Sequence, residues 1–378
     1  MKKKIKLGII GGGPGSWIGN VHRIASRLDN EYEVVAGVFS RNIKINKSFS
    51  SSVGIEKSRC YKNFKELYFK EKNRKNGVEV VAIMTPPSTH QVIAEYFIKN
   101  NIHVISDKPF AANLTQAKKL YKTIIKNKKT IYGLTHNYSA YPMVRHAKKL
   151  VEDGKLGNIE YINVEYIQDW SNGKKVNPKN AKKIFRWRLD NKIAGVSTVL
   201  NEIGSHAYHL CNYITGLKGS SLFADIKQYS KKIKFDTNAQ VFINYENGAK
   251  GLLWASTTAK GGVYGLRIRV FGTRGSFEWV QNDPNYLRYS NANGATKILE
   301  RGFNESNFSN KFSRIKYGHP EGYLSAFSNI YKEIAMKIKN PNSKKKFYYP
   351  NAYEGLLTAK FIDACVKSSI KKKWLKII

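Results

Sequence analysis

Two short stretches contain the side chains best suited to moving a proton. The first is Asp107-Lys108-Pro109, which follows an apolar run typical of a buried strand. A lysine there lies at the carboxyl edge of a parallel sheet, where open α/β folds bind ligands. Pro109 disfavours a helical conformation for Lys108 and so keeps its side chain at that edge. The alternative is a solvated lysine in a lysine-rich chain.

The second stretch is a predicted helix over residues 199–215, which carries Glu202, His206 and His209. Glu202 and His206 are four residues apart and are expected on one face. A carboxylate one turn from an imidazole fixes its tautomer and supports it as a proton donor or acceptor. Half of a metal site and a plain polar face are the alternatives. No metal is predicted, because the HExxH order and a second ligand cluster are absent from the sequence.

A glycine-rich turn separates a predicted strand at residues 5–10 from a predicted helix at residues 20–28. Glycines let backbone N–H groups approach a pyrophosphate, whose charge the helix N-terminus favours. A GxGxxG pattern is incomplete here, since Ser16 stands where the third glycine would be. We predict a dinucleotide site here, and a plain glycine loop is the alternative. The predicted site is formed by Gly11, Gly13, Gly15, Ser16, Trp17 and Ile18.

The coenzyme prediction depends on the end of the second strand, at Ser40 and Arg41. NAD-binding proteins usually place an acidic residue there for the ribose 2′-hydroxyl. A hydroxyl and a guanidinium suit a 2′-phosphate, so the sequence favours NADP over NAD, unless Arg41 is only a solvated loop residue. Further candidate coenzyme contacts are Thr85, Pro86, His90, Asp107, Lys108, Asn137, Trp187 and Arg188.

Candidate substrate contacts come from several segments. The run Phe185-Arg186-Trp187-Arg188 places arginine beside an aromatic ring, a pair that holds a carboxylate or phosphate in a planar fork or is simply a surface pair. His319 and Glu321 precede a later predicted helix and either face a polyol or cap that helix. The predicted substrate-binding residues are Lys108, Gln168, Trp170, His206, His209 and His319.

The predicted elements place these residues in an α/β fold of two domains. Strands and amphipathic helices alternate over residues 1–135, which predicts a Rossmann domain with a doubly wound parallel sheet. Residues 136–378 contain long alternating strands with turns at Asn247-Gly248 and Arg274-Gly275, which predict an α+β domain with a large, mainly antiparallel open sheet. A helix near residues 350–368 is expected to pack back toward the N-terminal part, and the polar segment 171–183 is predicted to form a lid.

The exposed face of that sheet is expected to form a homodimer or homotetramer. A net charge of +38 requires a nucleic-acid hypothesis to be considered. The lysines are scattered and no recognition helix is evident, so no specific nucleic acid is predicted, whereas anionic small molecules are favoured. No apolar run approaches the ~20 residues that span a bilayer, so a cytoplasmic protein without membrane contact is expected. Cys60, Cys211 and Cys365 are predicted to be reduced thiols.

Four motifs in order resemble the Gfo/Idh/MocA family, the relatives of glucose-fructose oxidoreductase and inositol dehydrogenase. Gly11-x-Gly13 with Gly19-x-x-His22 is similar to the family's glycine turn ending in GxxH, and Thr85-Pro86-Pro87-Ser88-Thr89-His90 is similar to its TPNxxH motif. Asp107-Lys108-Pro109 is similar to its EKP motif, and Glu202-Ile203-Gly204-Ser205-His206 to its DxGxH motif. The resemblance spans nearly the whole chain.

The resemblance implies nicotinamide-dependent oxidation of a sugar or cyclitol hydroxyl, or the reverse reduction. In the family, the lysine of EKP binds the reacting oxygen and the histidine of DxGxH exchanges its proton. Carried over, Lys108 is the orienting acid, His206 the proton exchanger and Glu202 their carboxylate partner. Asp107, Pro87 and Glu202 depart from the family motifs, and residues 14–18 enlarge the phosphate loop. A non-catalytic dinucleotide or sugar sensor is the alternative, which the presence of Lys108 and His206 disfavours.

Overall fold

The computed structural model describes residues 3–171, 186–229, 235–262 and 265–378. Its contacts divide the chain into two compact units. The first consists of Met1–Ala111, Thr115–Asn137 and Tyr323–Leu356, and the second of Ala112–Leu114, Tyr138–Gly322 and Leu357–Ile378. The sequence analysis divided the chain once, after residue 135. The structure differs because the helix that begins at Tyr323 packs against the first helix of the chain.

The regular elements of the described residues follow in chain order. They begin with β1 (Ile5–Gly11), α1 (Trp17–Leu28), β2 (Tyr32–Val38), α2 (Ile43–Val53), α3 (Phe64–Glu71), β3 (Val80–Met84), α4 (His90–Lys99), β4 (His103–Ser106), α5 (Leu114–Lys126), β5 (Tyr132–Leu134), α6 (Pro142–Glu152) and β6 (Ile159–Ile167). They continue with α7 (Asn191–Ala194), α8 (Ser205–Thr215), β7 (Gly219–Lys227), β8 (Asn238–Tyr245), β9 (Lys250–Ser256), β10 (Gly265–Gly272), β11 (Gly275–Val280), β12 (Tyr286–Ser290), β13 (Thr296–Glu300), α9 (Tyr323–Lys339), α10 (Ala352–Lys371) and β14 (Leu375–Lys376). None of the helices described here has the length and apolar content that crossing a membrane requires.

The first unit is built on a five-stranded sheet in the order β2-β1-β3-β4-β5. Its neighbouring strands pair in parallel, so the predicted Rossmann sheet is confirmed. All five residues of β3 are buried, as expected for a central strand that is covered by helices on both faces. The carboxyl ends of β1, β3 and β4 therefore lead directly into the glycine turn, the segment after Met84 and the Asp107-Lys108-Pro109 segment.

Helix α2 is an element that the sequence analysis did not predict. Its buried positions are Asn46, Ser50 and Val53, so two of the three are polar and the usual apolar stripe of an amphipathic helix is missing. The terminal signals are nevertheless present. Asn42 caps the first turn, and Gly54 ends the helix in the left-handed conformation with φ of 70°.

The second unit contains a nine-stranded sheet in the order β13-β12-β11-β10-β6-β9-β8-β7-β14. Strand β6 pairs in parallel with β9, and the other neighbouring pairs are antiparallel, which confirms the mainly antiparallel sheet. The predicted hairpin turn at Asn247-Gly248 joins β8 to β9, with Gly248 at φ of 90°. One face of the sheet packs on α8. Buried and exposed residues alternate along β8 and β9, so the other face is open to solvent.

The three cysteines are buried and unbridged. Burial raises the pKa of the Cys211 thiol to about 12, so this side chain stays protonated and behaves as a core residue. Their positions agree with the reduced thiols that the sequence predicts.

Candidate active site

The glycine turn after β1 is held by very close backbone approaches. A Cβ atom on Gly13 would lie 2.4 Å from the carbonyl oxygen of Phe39, and one on Gly19 would lie 2.4 Å from that of Gly12. Gly15, with φ of 72°, has no heavy atom within 4 Å of the corresponding position. The turn is therefore packed tightly on its inner side and open beside Gly15.

The first turn of α1 offers donors to an anion. Ser16 caps the helix by accepting a hydrogen bond from the Gly19 N–H at 3.1 Å. The N–H groups of Trp17 and Ile18 precede the first intrahelical bond, so the helix itself leaves them without an acceptor. Together with the helix dipole, they suit a pyrophosphate. The predicted phosphate-binding residues thus lie together, with the indole of Trp17 66% exposed beside them.

Asn46 organises the end of β2, which the sequence analysis assigned to the ribose. Its fully buried amide oxygen accepts hydrogen bonds from Phe39 N–H at 3.0 Å and Ser40 N–H at 2.6 Å. Its amide nitrogen donates to the carbonyl groups of Ser40 and Tyr61. The Ser40 hydroxyl accepts from Asn42 N–H, while Arg41 is exposed. The sequence does not indicate this role of Asn46, because the helix that buries it lacks an apolar stripe and was not predicted.

His90 links two of the predicted motifs. The ring is buried, with Nε2 2.7 Å from the Thr85 carbonyl oxygen and Nδ1 2.8 Å from the Pro109 carbonyl oxygen. The hydroxyl groups of Thr85 and Thr89 lie 2.6 Å apart in the same turn. In the structure, the two ring nitrogens of this predicted coenzyme contact join the segment after β3 to the segment after β4.

Lys108 lies at the end of β4, where the sequence places it, and is half-buried. The peptide bond between Lys108 and Pro109 is cis. The carboxylate of Asp107 accepts a hydrogen bond from the Thr135 hydroxyl at 2.8 Å, and its Oδ1 atom is 3.7 Å from Nε2 of His22. Burial opposes ionisation of Asp107, but the nearby His22 ring, together with Lys108 and the Thr135 hydroxyl, lowers the carboxyl pKa below its usual value.

Asn137 gives the strongest sign of a ligand in the first unit. It begins the 3₁₀ turn Asn137–Ala140 after β5 and is fully buried. Both polar atoms of its side-chain amide lack a hydrogen-bond partner among the described residues. A buried amide without partners costs free energy, and a bound carboxamide or ribose supplies the missing hydrogen bonds. The first unit therefore fits a nicotinamide dinucleotide.

In the second unit, the segment before α8 departs from a regular helix. Leu200–Gly204 is a π-helical turn, which changes the angular spacing between Glu202 and His206 expected from an α-helix. The Glu202 carboxylate accepts a hydrogen bond from Nη2 of Arg188 at 3.1 Å. The structure thus gives Glu202 a cationic partner that the sequence analysis did not predict.

His206 lies in an aromatic environment. Its ring meets Tyr138 edge-on at a centroid distance of 4.8 Å and Tyr166 at 6.2 Å. The hydroxyl groups of these two tyrosines are 2.6 Å apart. His206 is 6% exposed, whereas His209 is 3% exposed and packs on the ring of Tyr213. The structure brings His206 next to the rings of two tyrosines whose hydroxyl groups pair with each other, and it buries His209 against Tyr213.

Arg188 lies close to two indole rings. Its guanidinium carbon is 4.5 Å from the ring centroid of Trp187 and 5.8 Å from that of Trp170. Trp170 Nε1 donates to the side-chain oxygen of Gln168 at 2.6 Å. The predicted residues Gln168, Trp170, Trp187, Arg188 and Glu202 thus form one connected group in the second unit. Phe185 and residues 172–183 of the predicted lid lie outside the described residues.

His319 and Glu321 belong to a loop that Arg301 organises. The buried guanidinium of Arg301 donates to the carbonyl groups of Ile315, Lys316 and His319. Glu321 accepts hydrogen bonds from the backbone N–H groups of Arg314 and Ile315. The carboxylate therefore stabilises the loop, and His319 is exposed at its surface.

No group of three or more His, Cys, Asp or Glu residues within the described ranges is arranged to hold a metal ion. The arrangement that the structure does show is a dinucleotide-type turn with a lysine at a neighbouring strand end, and a separate unit with a histidine among tyrosines. Fold and residues together define an α/β protein of the dinucleotide-binding class.

Comparison with known proteins identifies the family. Residues 5–136 match the model described as an oxidoreductase family with an NAD-binding Rossmann fold, and residues 144–278 match the GFO/IDH/MocA C-terminal domain. The uncharacterised oxidoreductase YfiI of Bacillus subtilis is 30% identical over 98% of this chain and 95% of its own length. The chain belongs to the Gfo/Idh/MocA family of NAD-binding oxidoreductases.

Solved structures agree over the full length. An oxidoreductase from Sinorhizobium meliloti is 39% identical, with a TM-score of 0.89 over 99% of this chain and 100% of that chain. An inositol dehydrogenase homologue from Azotobacter vinelandii, solved with NADH and myo-inositol, is 28% identical, with a TM-score of 0.90 over 100% of this chain and 98% of that chain.

Proposed function

We propose that the protein transfers a hydride between C4 of a nicotinamide coenzyme and a secondary hydroxyl or ketone of a sugar, cyclitol or sugar derivative. The observation that carries the proposal is Lys108 at the end of β4, in the same unit as the glycine turn and the Asn137 amide, which has no hydrogen-bond partner within the described ranges. The relative that binds NADH and myo-inositol supports this substrate class.

The chemistry assigns different tasks to the chain's own residues. The coenzyme supplies or accepts the hydride, and the oxygen of the substrate must lose or gain a proton in the same conversion. Lys108 donates a hydrogen bond to the reacting oxygen and orients it. His206 exchanges the proton, and the edge-on packing of its ring against Tyr138 stabilises one ring orientation.

The group around Arg188 is proposed to recognise the substrate's other hydroxyl groups. Trp170 and Trp187 offer apolar faces, Gln168 an amide, and the Arg188–Glu202 ion pair both donors and acceptors. Such a combination of aromatic faces and a few polar groups is typical of small-molecule sites. Glu202 therefore acts through Arg188 in substrate recognition.

A substrate panel tests the proposal. The purified protein is incubated with NAD⁺ or NADP⁺ and a set of cyclitols, aldoses and deoxy sugars, and the absorbance of reduced nicotinamide is followed. We expect reduction with at least one member of the panel. Tight coenzyme binding without reduction by any of them, unaffected by Lys108→Ala, would instead support the non-catalytic sensor.

The coenzyme preference is proposed to be NADP, with NAD also accepted, because Ser40-Arg41 stands where an acidic residue would bind the 2′-hydroxyl. Arg41→Ala is expected to weaken NADPH binding about tenfold, since a charge-assisted hydrogen bond at an exposed site contributes about 1.5 kcal/mol. NADH binding should change little. Calorimetry with both coenzymes measures the difference, with Lys57→Ala as a control that also removes one exposed cation. Equal losses for NADH and NADPH would contradict the preference.

We also propose that the open face of the nine-stranded sheet binds a second copy of the chain. Phe242 and Leu252 are register partners on β8 and β9, and they are 54% and 40% exposed. Tyr161 and Phe271 are partners on β6 and β10, and they are 56% and 38% exposed. A face with several large exposed apolar side chains is unusual for a monomer.

Phe242→Lys is expected to shift the protein toward the monomer in light scattering coupled to size exclusion, because a second copy would bury the introduced charge. Val92→Lys on α4, which replaces another exposed apolar residue, is the matched control and should leave the oligomeric state unchanged. A wild-type protein that is monomeric at high concentration would refute the interface.

A further inference from the structure

A buried chain of polar side chains runs through the first unit to the residue before Lys108. His22 on α1 is 1% exposed, and its Nδ1 atom is 2.7 Å from the hydroxyl oxygen of Tyr331 on α9. The other ring nitrogen, Nε2, is 3.7 Å from Oδ1 of Asp107. Three residues far apart in sequence are thus aligned inside one unit.

The hydrogen-bonding capacity of these groups fixes the direction of the chain. Burial, and secondarily the charge of Asp107, raises the pKa of Tyr331 well above its usual value, so its hydroxyl stays protonated and can donate. Because the Asp107 carboxylate can only accept, the His22 tautomer with its proton on Nε2 faces Asp107 and leaves Nδ1 to accept from the Tyr331 hydroxyl. The Thr135 hydroxyl donates a hydrogen bond at 2.8 Å to the same carboxylate oxygen that faces Nε2.

We propose that Tyr331, His22 and Asp107 form a positioning chain that keeps a charged carboxylate directly beside Lys108. A carboxylate that lost such partners would ionise less readily, so its negative charge beside Lys108 would disappear at a higher pH. In the chain, Asp107 holds the end of β4 through its hydrogen bond with Thr135. The meaning for catalysis rests on the function proposed above, whereas the chain of contacts itself does not.

Several other groups contact the three residues of this positioning chain. Asp107 also interacts electrostatically with Lys108 and His90. The ring of His22 meets Phe327 edge-on at 5.2 Å. Tyr32 donates from its hydroxyl to the backbone carbonyl of Tyr331 at 2.8 Å, whereas His22 contacts the side-chain hydroxyl of Tyr331. Removing the Tyr32 hydroxyl therefore perturbs the packing without interrupting the chain.

A carbon-detected NMR titration of protein labelled at the aspartate carboxyl groups tests the chain directly, with the Asp107 signal assigned by its loss in Asp107→Asn. The wild-type signal should titrate below the usual range for aspartate. In His22→Phe and Tyr331→Phe, the midpoint should rise by about one pH unit, a tenfold change in the protonation equilibrium. Tyr32→Phe, the matched control, should leave it unchanged.

The pH profile of hydride transfer is the second readout. A carboxylate with a lowered pKa is fully charged above the pKa of the unfolded chain, so its effect is complete there. It loses its charge, and with it this effect, as the pH falls through the pKa of the folded protein. The acidic limb should therefore move to higher pH in His22→Phe and Tyr331→Phe, with a lower kcat and little change in KM. An unmoved Asp107 midpoint in both variants, or an equal shift in Tyr32→Phe, would overturn the chain. A shifted midpoint in a protein without turnover would refute the proposed function and leave the chain standing.

Discussion

Lys108→Met is expected to lower the rate of hydride transfer roughly 10²–10⁴-fold while the coenzyme still binds. Methionine keeps much of the length and apolar surface of the lysine stem but removes the donor that orients the reacting oxygen. Because Lys108 is half-buried at a strand end, the fold should tolerate the change. Single-turnover kinetics measures the rate, and fluorescence of bound reduced coenzyme measures affinity.

Lys99→Met provides the control, since it removes one exposed lysine from the end of α4 in the same unit. Its rate should match that of the unchanged protein. Lys108→Arg should recover only part of the activity, because the planar guanidinium does not reproduce the geometry of an ammonium group. Full activity in Lys108→Met would remove the lysine from the mechanism.

Gly19→Ala is expected to weaken dinucleotide binding at least about tenfold and to destabilise the protein by about 1–3 kcal/mol. The added Cβ would lie 2.4 Å from the Gly12 carbonyl oxygen and 2.5 Å from its Cα atom. The helix would have to move away from the turn, and the N–H groups of Trp17 and Ile18 would move with it. Alanine has the higher helix propensity, by about 1 kcal/mol, so propensity alone predicts the opposite sign for stability.

Thermal unfolding and coenzyme titration measure the two effects of Gly19→Ala. Gly322→Ala is the matched control, because a Cβ atom there would meet no heavy atom within 4 Å. It should leave both the melting temperature and the affinity close to those of the unchanged protein. Unimpaired coenzyme binding in Gly19→Ala would show that the close approach of turn and helix does not shape the phosphate site.

The first sheet could be predicted from the sequence because its strands are short apolar runs separated by helices. The apolar run at residues 78–84 follows this pattern directly, and so does the run that precedes Lys108. Helix α2 could not, because Asn46 and Ser50 occupy its buried face. The burial of Asn46 is stabilised by hydrogen bonds to Ser40 after β2 and to Tyr61, which no local pattern reveals. Ser50 donates to the Lys47 carbonyl oxygen of its own helix.

The residues of the candidate site could be named from the sequence, but many of their partners could not. A π-helical turn before α8 is invisible to a prediction that assumes regular spacing, so the Arg188–Glu202 pair was missed. The contact between His22 and Tyr331 joins positions 309 residues apart. Such contacts depend on how α1 and α9 pack, which tertiary structure alone determines.

The most direct measurement of the central claim follows a deuterium atom. A reactive member of the substrate panel, deuterated at the carbinol carbon, is incubated with the protein and its oxidised coenzyme, and the reduced coenzyme is analysed by mass spectrometry. The account predicts one deuterium on the nicotinamide ring with the unchanged protein and with Lys99→Met, and a strongly slowed transfer with Lys108→Met. Coenzyme that binds but never acquires deuterium would contradict it.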